Sequence, residues 1–293
     1  ETGAGAGANF SDDAFKEAGA SIAGSAADAL KDADIVFKVR GPDESELGLF
    51  KKGTMLAAIV NPYNNRERVK AYAEAGILAY AMEFMPRITR AQSMDVLSSQ
   101  SNLSGYKAVI DAAATYGRAL PMMMTAAGTI APARVFVFGA GVAGLQAIAT
   151  AKRMGAIVSA TDVRAATAEQ VNSLGADFIM VEADEGDTGE TSGGYAKEMS
   201  DEYKKKQAAL TAETIAKMDI VITTALIPGR PAPKLISKEM VESMKPGSVI
   251  VDLAVETGGN CELSEAGKVG DHNGATSTTS SSSWSTRKRR SWR

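Results

Sequence analysis

One stretch, Arg134 to Arg164 (RVFVFGAGVAGLQAIATAKRMGAIVSATDVR), constrains the fold of this chain more than any other. Its apolar, β-branched and aromatic opening, Val135 to Phe138, reads as a buried strand. Gly139, Gly141 and Gly144 follow at G-x-G-x-x-G spacing, within an alanine-rich helical run from Val142 to Met154. A second strand, Ala156 to Thr161, ends on Asp162, 23 residues after the first glycine. In such a unit the first glycine makes a tight turn and the second lets a pyrophosphate approach the backbone. The third lets helix and strand pack closely, and the N–H groups of the helix N-terminus face the phosphates. A carboxylate at Asp162 accepts hydrogen bonds from an adenosine ribose and repels a 2′-phosphate, which favours NAD over NADP; Arg164 blurs that preference. A glycine-rich strand-to-helix turn can be purely structural. The complete order of strand, helix, strand and acid points instead to a dinucleotide.

The rest of the chain bounds the possibilities. Its 293 residues allow one large or two ordinary domains. No apolar run approaches the length of about 18 residues that a membrane-spanning helix needs, and no signal-peptide pattern opens the sequence. A single cysteine, Cys261, rules out an internal disulfide framework and a multi-cysteine metal site; it reads as a small packed side chain, and no metal ligand set is expected. The end of the sequence, 271–293 (DHNGATSTTSSSSWSTRKRRSWR), holds the only histidine, His272, and both tryptophans. Its five basic residues against Asp271 give +4, which leaves −7 on 1–270 out of a formal total of −3. A basic cluster beside a serine run suits nucleic acid or a membrane surface, but the low complexity reads as a disordered tail without assigned function.

Along the chain, short elements alternate. Ala18 to Ala33 has helical spacing, IVFKV (35–39) reads as a strand, Ser45 to Lys51 as a short helix and MLAAIV (55–60) as a strand. An amphipathic helix over Arg66 to Ala75 and a strand over Ile77 to Met82 follow. Alternation of this kind implies a parallel sheet with crossover helices. A long helix over Asn102 to Arg118, N-capped by Ser101, joins the two halves. Beyond the glycine stretch come a helix over 165–174, a strand over 178–181 and an acidic, glycine-rich loop, 182–194, expected to be mobile. A helix over 195–217, a strand over 220–223, a turn at IPGRPAP (227–233), a helix over 238–244 and a strand over 248–253 complete the pattern. The expected architecture is α/β: two Rossmann-like parallel-sheet domains joined by a long helix, the second a complete dinucleotide-binding fold. The boundaries fall at 1–100, 101–133 for the connecting helix and linker, 134–270 and 271–293. The first domain is expected to lack an opening strand and helix.

Chemistry narrows the choice. Carbonyl reduction calls for a proton donor beside the hydride donor, most often histidine, and residues 1–270 contain none. Lys, Tyr or Asp can substitute. Hydride exchange between two nicotinamides needs no such donor, only orientation and exclusion of water. The stretch PRITRAQSMDVLSSQSN (86–102) places a cation, an amide and a carboxylate, Arg87, Gln92 and Asp95, close together; a solvated polar loop is the simpler reading.

Several stretches carry a resemblance: PRITRAQSMDVLSSQSNLSGYKAV, PMMMTAAGTIAPARVFVFGAGVAGLQAIATAKRMGA, ATDVRAAT, SGGYAKEM, ITTALIPGRPAP and MKPGSVIVDLAVETGGNCELSE. Together they cover most of 85–265 and resemble the NAD(H)-binding component (alpha subunit, domain I) of proton-translocating nicotinamide nucleotide transhydrogenase. Residues 1–84 resemble that family's first domain more loosely. The resemblance implies an NAD(H)-binding component that passes hydride directly to NADP(H) on a partner domain, with a membrane-spanning domain coupling the exchange to proton movement. It implies a homodimer, inactive alone, peripheral to the inner membrane through its partners. Arg87, Gln92 and Asp95 then serve the nicotinamide, with Gln92 between the two cofactors and Ser98 near the same end. Val142 and the three glycines cover the pyrophosphate; Asp162, Val163 and Arg164 hold the adenosine ribose; Gly194 and Tyr195 belong to a mobile loop; Gln207 and Leu226 complete the pocket. Departures from the family at both ends suggest truncation. An alanine dehydrogenase-type oxidoreductase, with Lys38 as its catalytic lysine but no matching histidine, and an inactive NAD-binding fragment are the competing readings.

Overall fold

A computed structural model describes residues 1–86, 88–181, 200–227, 229–272 and 274–278. The chain divides into two units, the first comprising Glu1–Leu97 and the second starting at Ser98.

In the first unit, α1 (Asp12–Glu17) and α2 (Ala26–Leu30) begin where Ser11 and Ser25 accept hydrogen bonds from backbone N–H groups three residues on. Of the helix expected over 18–33 only Ala26–Leu30 is helical, and α1 lies before that range. Gly19, at φ +92°, closes α1, and Ser25 starts α2. Next come β1 (Ile35–Arg40), a 3-10 turn at Leu47–Leu49 shorter than the helix expected there, β2 (Met55–Ile59), α3 (Arg66–Glu74) and β3 (Leu78–Ala81). The strands are parallel in the order β1-β2-β3. Side chains alternate across a pleated strand: Val36, Leu56, Ala58 and Val60 join Phe50, Tyr72 and Ile77 in a core. Ile35, Phe37, Val39, Leu78 and Tyr80 are exposed. The Tyr72 hydroxyl donates to the Pro42 carbonyl at 2.6 Å, tying α3 to the turn after β1. A 3-10 helix, Thr89–Met94, ends this unit's regular structure.

The second unit holds α4 (Val96–Thr115) from Ser98 onward, and this helix buries Gly105, Ala108, Val109 and Ala112. The helix starts upstream of the expected Asn102, so Ser101 is an interior residue and not its N-cap. Seven of the 17 residues read as a polar loop, 96–102, are therefore in α4. An unforeseen hairpin follows, β4 (Met123–Thr125) and β5 (Gly128–Ile130), with Met123, Met124 and Ile130 exposed. Next along the chain are β6 (Arg134–Phe138), α5 (Val142–Arg153), β7 (Ile157–Thr161), α6 (Ala168–Ser173) and β8 (Asp177–Phe178). The remaining elements are α7 (Asp201–Ile215), β9 (Ile220–Thr223), α8 (Lys238–Glu242), β10 (Val249–Asp252), β11 (Val269–His272) and β12 (Ala275–Thr278).

The sheet order is β11-β12-β10-β9-β6-β7-β8, parallel throughout except β11, which runs antiparallel to β12. From β6 the chain steps outward to β7 and β8, then returns to β9 on the other side of β6. This reversal makes the doubly wound sheet with its crevice beside β6. Strands β6, β9 and β10 are nearly continuous apolar runs, as expected of parallel strands covered on both faces. The last two strands contradict the expectation of an unstructured segment from Asp271. The sequence there carries a hairpin signal, Asn273-Gly274 before β-branched threonines, and Gly274 sits at φ +85°.

Candidate functional site

The glycine turn stands where β6 gives way to α5, at the reversal of strand order. Gly139 adopts φ +92°, a left-handed conformation costly for any residue with a side chain. Its N–H donates to the Thr161 carbonyl at 2.8 Å. A Cβ on Gly144 would lie 1.7 Å from the Gly139 carbonyl oxygen, so only glycine lets α5 start this close to the strand. At Gly141 a Cβ would meet nothing within 4 Å, leaving open space beside the backbone. Gly141 is also the N-cap of α5, and no side chain caps that helix. A helix start without a side-chain acceptor, beside open space, suits a phosphate. These residues fit a dinucleotide pyrophosphate, with Val142 exposed at the first position of the helix.

Asp162, just past β7, faces the same turn. Its side chain is only 7% exposed. Oδ2 accepts from the Ala140 N–H at 2.7 Å and from Arg164 Nη2 at 2.8 Å; Oδ1 accepts from the Arg164 backbone N–H and Nε, each at 2.9 Å. Arg164 thus grips Asp162 as a fork on a carboxylate, with half-buried Val163 between them. The expected ribose acceptor is already engaged by the turn and by its own neighbour.

Two further sequence-derived residues join this surrounding. Gln207 on α7 donates from Nε2 to Thr161 Oγ1 at 3.1 Å and accepts from the Val181 N–H at 3.2 Å, so its amide bridges the end of β7 and the chain after β8. Leu226, 52% exposed, follows the end of β9. Between them and the turn, Thr224 donates its hydroxyl toward the carbonyl oxygens of Phe138 (3.0 Å) and Gly139 (3.2 Å).

Sequence reasoning missed three contributors. Gly105 in α4 packs so tightly that a Cβ there would meet the Ala143 carbonyl oxygen at 2.1 Å; a glycine interrupting a helical run was its signal. Asp252 and Asn260, both fully buried, organise the loops after β9 and β10. No local pattern distinguishes them from surface polar residues. Cys261 is buried beside them, and burial pushes its thiol pKa up, in keeping with a packed side chain.

The other sequence-derived residues are placed as follows. Gln92 is exposed in the 3-10 helix of the first unit, and its carbonyl accepts from the Asp95 N–H at 3.2 Å. Ser98 lies in the first turn of α4 in the second unit. Arg87, Gly194, Tyr195 and the loop 182–194 lie outside the described residues, as does 279–293. Among the described residues no helix is long and apolar enough to cross a membrane.

The fold and the turn define a class: a two-unit α/β protein whose second unit is a Rossmann-like nucleotide-binding domain. Models of the alanine dehydrogenase/PNT family match both units, the N-terminal domain over 1–104 and the C-terminal domain over 108–279. An NAD(P) transhydrogenase alpha-subunit polypeptide of Rhodospirillum rubrum is 62% identical over 274 residues, covering 92% of this chain and 71% of that protein. The Haemophilus influenzae NAD(P) transhydrogenase subunit alpha is 50% identical over 270 residues, which cover 92% of this chain and 52% of that protein. Among solved structures, a transhydrogenase from Sinorhizobium meliloti superposes with a TM-score of 0.86 at 59% identity, covering 95% of this chain and 75% of that one. An L-alanine dehydrogenase superposes at 0.77 with 26% identity, covering 95% and 72%. The chain belongs to the alanine dehydrogenase/PNT family, in its NAD(P) transhydrogenase alpha-subunit branch.

Proposed function

We propose that this chain is the NAD(H)-binding component of a nicotinamide nucleotide transhydrogenase. The observation that carries this reading is the glycine turn at the reversal of the strand order, with Asp162 hydrogen-bonded across it. Bound there, the nicotinamide supplies hydride for transfer to NADP(H) on a partner domain, and the complete complex couples the exchange to proton translocation. This chain's residues bind and orient: the turn and Val142 hold the pyrophosphate; Asp162, Val163 and Arg164 take the adenosine ribose; Gln207, which supports the end of β7, and Leu226 complete the pocket. Arg87, Gln92, Asp95 and Ser98 serve the nicotinamide end, and Gly194 and Tyr195 complete the set. The scarcity of histidine supports the reading, because nicotinamide-to-nicotinamide exchange puts no charge on an oxygen and needs no proton donor. In this scheme the chain works as a homodimer, is inactive alone, and reaches the membrane only through its partner domains.

Reconstitution tests this. Mixed with an NADP-binding partner domain, the chain should transfer hydride from NADH to an NADP analogue, and the Gln92→Asn variant should slow transfer far more than it weakens NADH binding. Equal losses in both would remove Gln92 from the reaction.

A second reading, an alanine dehydrogenase-type enzyme, is favoured by the Methanococcus maripaludis alanine dehydrogenase, 30% identical over 268 residues. Against it, Lys38 in β1 is paired with Glu46, and no histidine lies in 1–270. Alanine-dependent NAD reduction by the purified chain would establish it.

A further inference from the structure

The buried polar pair at the carboxyl ends of β9 and β10 has no role in the proposed function, yet it shapes one wall of the crevice. Asp252 and Asn260 are both fully buried. Asp252 Oδ1 accepts from the Thr223 hydroxyl and the Ala254 N–H, each at 2.9 Å; Oδ2 accepts from the N–H groups of Asn260 at 2.8 Å and Cys261 at 3.1 Å. The carboxylate therefore fixes where the Asn260 backbone sits. The Asn260 side chain then grips Ala225 from both sides. Its Oδ1 accepts from the Ala225 N–H at 3.0 Å, and its Nδ2 donates to the carbonyls of Ala225 and Pro233, each at 2.9 Å. Every polar atom of that amide is used. Ala225 lies between Thr224, which is bonded to the glycine-turn carbonyls, and exposed Leu226.

We infer that Asn260 is a positioning residue of the nucleotide site: by clamping the Ala225 backbone it holds the Thr224–Leu226 wall against the glycine turn, so that the half of the crevice away from Asp162 is formed before nucleotide binds. The assignment rests on the nucleotide-binding reading and deepens it. An irregular segment after a strand has no ladder to hold it. A side chain that satisfies its N–H and C=O in a dry interior supplies the missing restraint, and removing one partner strands the others. A doubly wound sheet binds the two halves of a dinucleotide on either side of its switch point. Loss of the clamp is thus felt by the half beside β9, not by the adenosine half beside β7.

That asymmetry gives the test. The full chain and its Asn260→Ala variant are titrated with NADH and, separately, with 5′-AMP, and thermal melting is followed in parallel. The expected result is an NADH affinity weakened by about tenfold or more, with AMP binding changed by less than about twofold. Thr224→Val, which keeps shape and leaves the Asn260 network whole, is read the same way if Asn260→Ala does not fold; its NADH loss should be smaller and equally selective. Unchanged NADH affinity, or equal weakening of NADH and AMP, would overturn the positioning role. If the wild-type chain binds neither ligand, the nucleotide-site reading itself falls, and this inference falls with it.

Discussion

Asp162 shows how a residue's surroundings set its behaviour. Burial opposes its charge, but the Arg164 side chain, the backbone N–H groups of Ala140 and Arg164, and the Arg164 charge together outweigh burial and hold the carboxyl below the usual carboxylate range. A carboxyl depressed in the folded state stabilises the protein above its unfolded value of about 3.9, and that contribution disappears as pH falls through the folded value. Melting temperatures measured from pH 7 down to pH 3 should therefore fall below about pH 4, and Asp162→Asn should flatten that decline. Identical profiles would show that the carboxylate contributes nothing. Asp162→Ala should weaken NADH binding by about 1–3 kcal/mol, because it removes the proposed ribose acceptor and leaves the Ala140 N–H without its carboxylate partner; an unchanged dissociation constant would contradict the ribose assignment. Two of the three glycine roles named from spacing have a visible cause at this scale, Gly139 in its φ and Gly144 in the 1.7 Å approach. The Arg164 grip on Asp162 was not legible, since nothing in D-V-R says that the arginine turns back on the acid.

Among elements, α4 and α5 meet at one point where neither side can give. The Gly105 Cβ position is 2.1 Å from the Ala143 carbonyl oxygen, so Gly105→Ala must push α4 off the first turn of α5. Overpacking of this kind costs about 1–3 kcal/mol, and here it moves the N–H groups that face the site. The variant should melt at lower temperature and bind NADH more weakly; a loss of stability with affinity intact would show that the α5 start does not shift. Strands with long apolar runs and helices with caps were readable. Elements shaped by sparse signals were not. The start of α4 was hidden because a polar run, SMDVLSSQSN, has the composition of a loop, although 96–102 lie in the helix. The β11–β12 hairpin was hidden because its serines and threonines look like low complexity, while pairing with β10 makes them strand.

For the whole molecule, the reading stands or falls on partners. Sedimentation of the purified chain should give a dimer, and a monomer at micromolar concentration would remove the homodimer from the proposal. Hydride transfer should appear only on adding the NADP-binding domain; turnover by the chain alone with both nucleotides would refute inactivity in isolation. The family itself was visible in the residues, since long motifs such as PMMMTAAGTIAPARVFVFGAGVAGLQAIATAKRMGA run through the second unit and the family models match both units. The loop residues Gln92 and Asp95 are described in the first unit and the glycine turn in the second.

By itself the sequence determined the α/β class, the parallel strands of the second sheet and the glycine turn between β6 and α5. Each depends on local rules: apolar runs of strand length, helical periodicity, and glycines where a side chain cannot fit. Only the tertiary structure decided which polar residues matter around that turn. Asp252, Asn260 and Thr224 act through hydrogen bonds to backbone groups brought near by the strand order, as in the 27-residue separation of Asn260 from Pro233. Such pairings belong to no window of sequence. They exist because β6, β9 and β10 stand side by side and their carboxyl ends must satisfy one another's polar groups away from water.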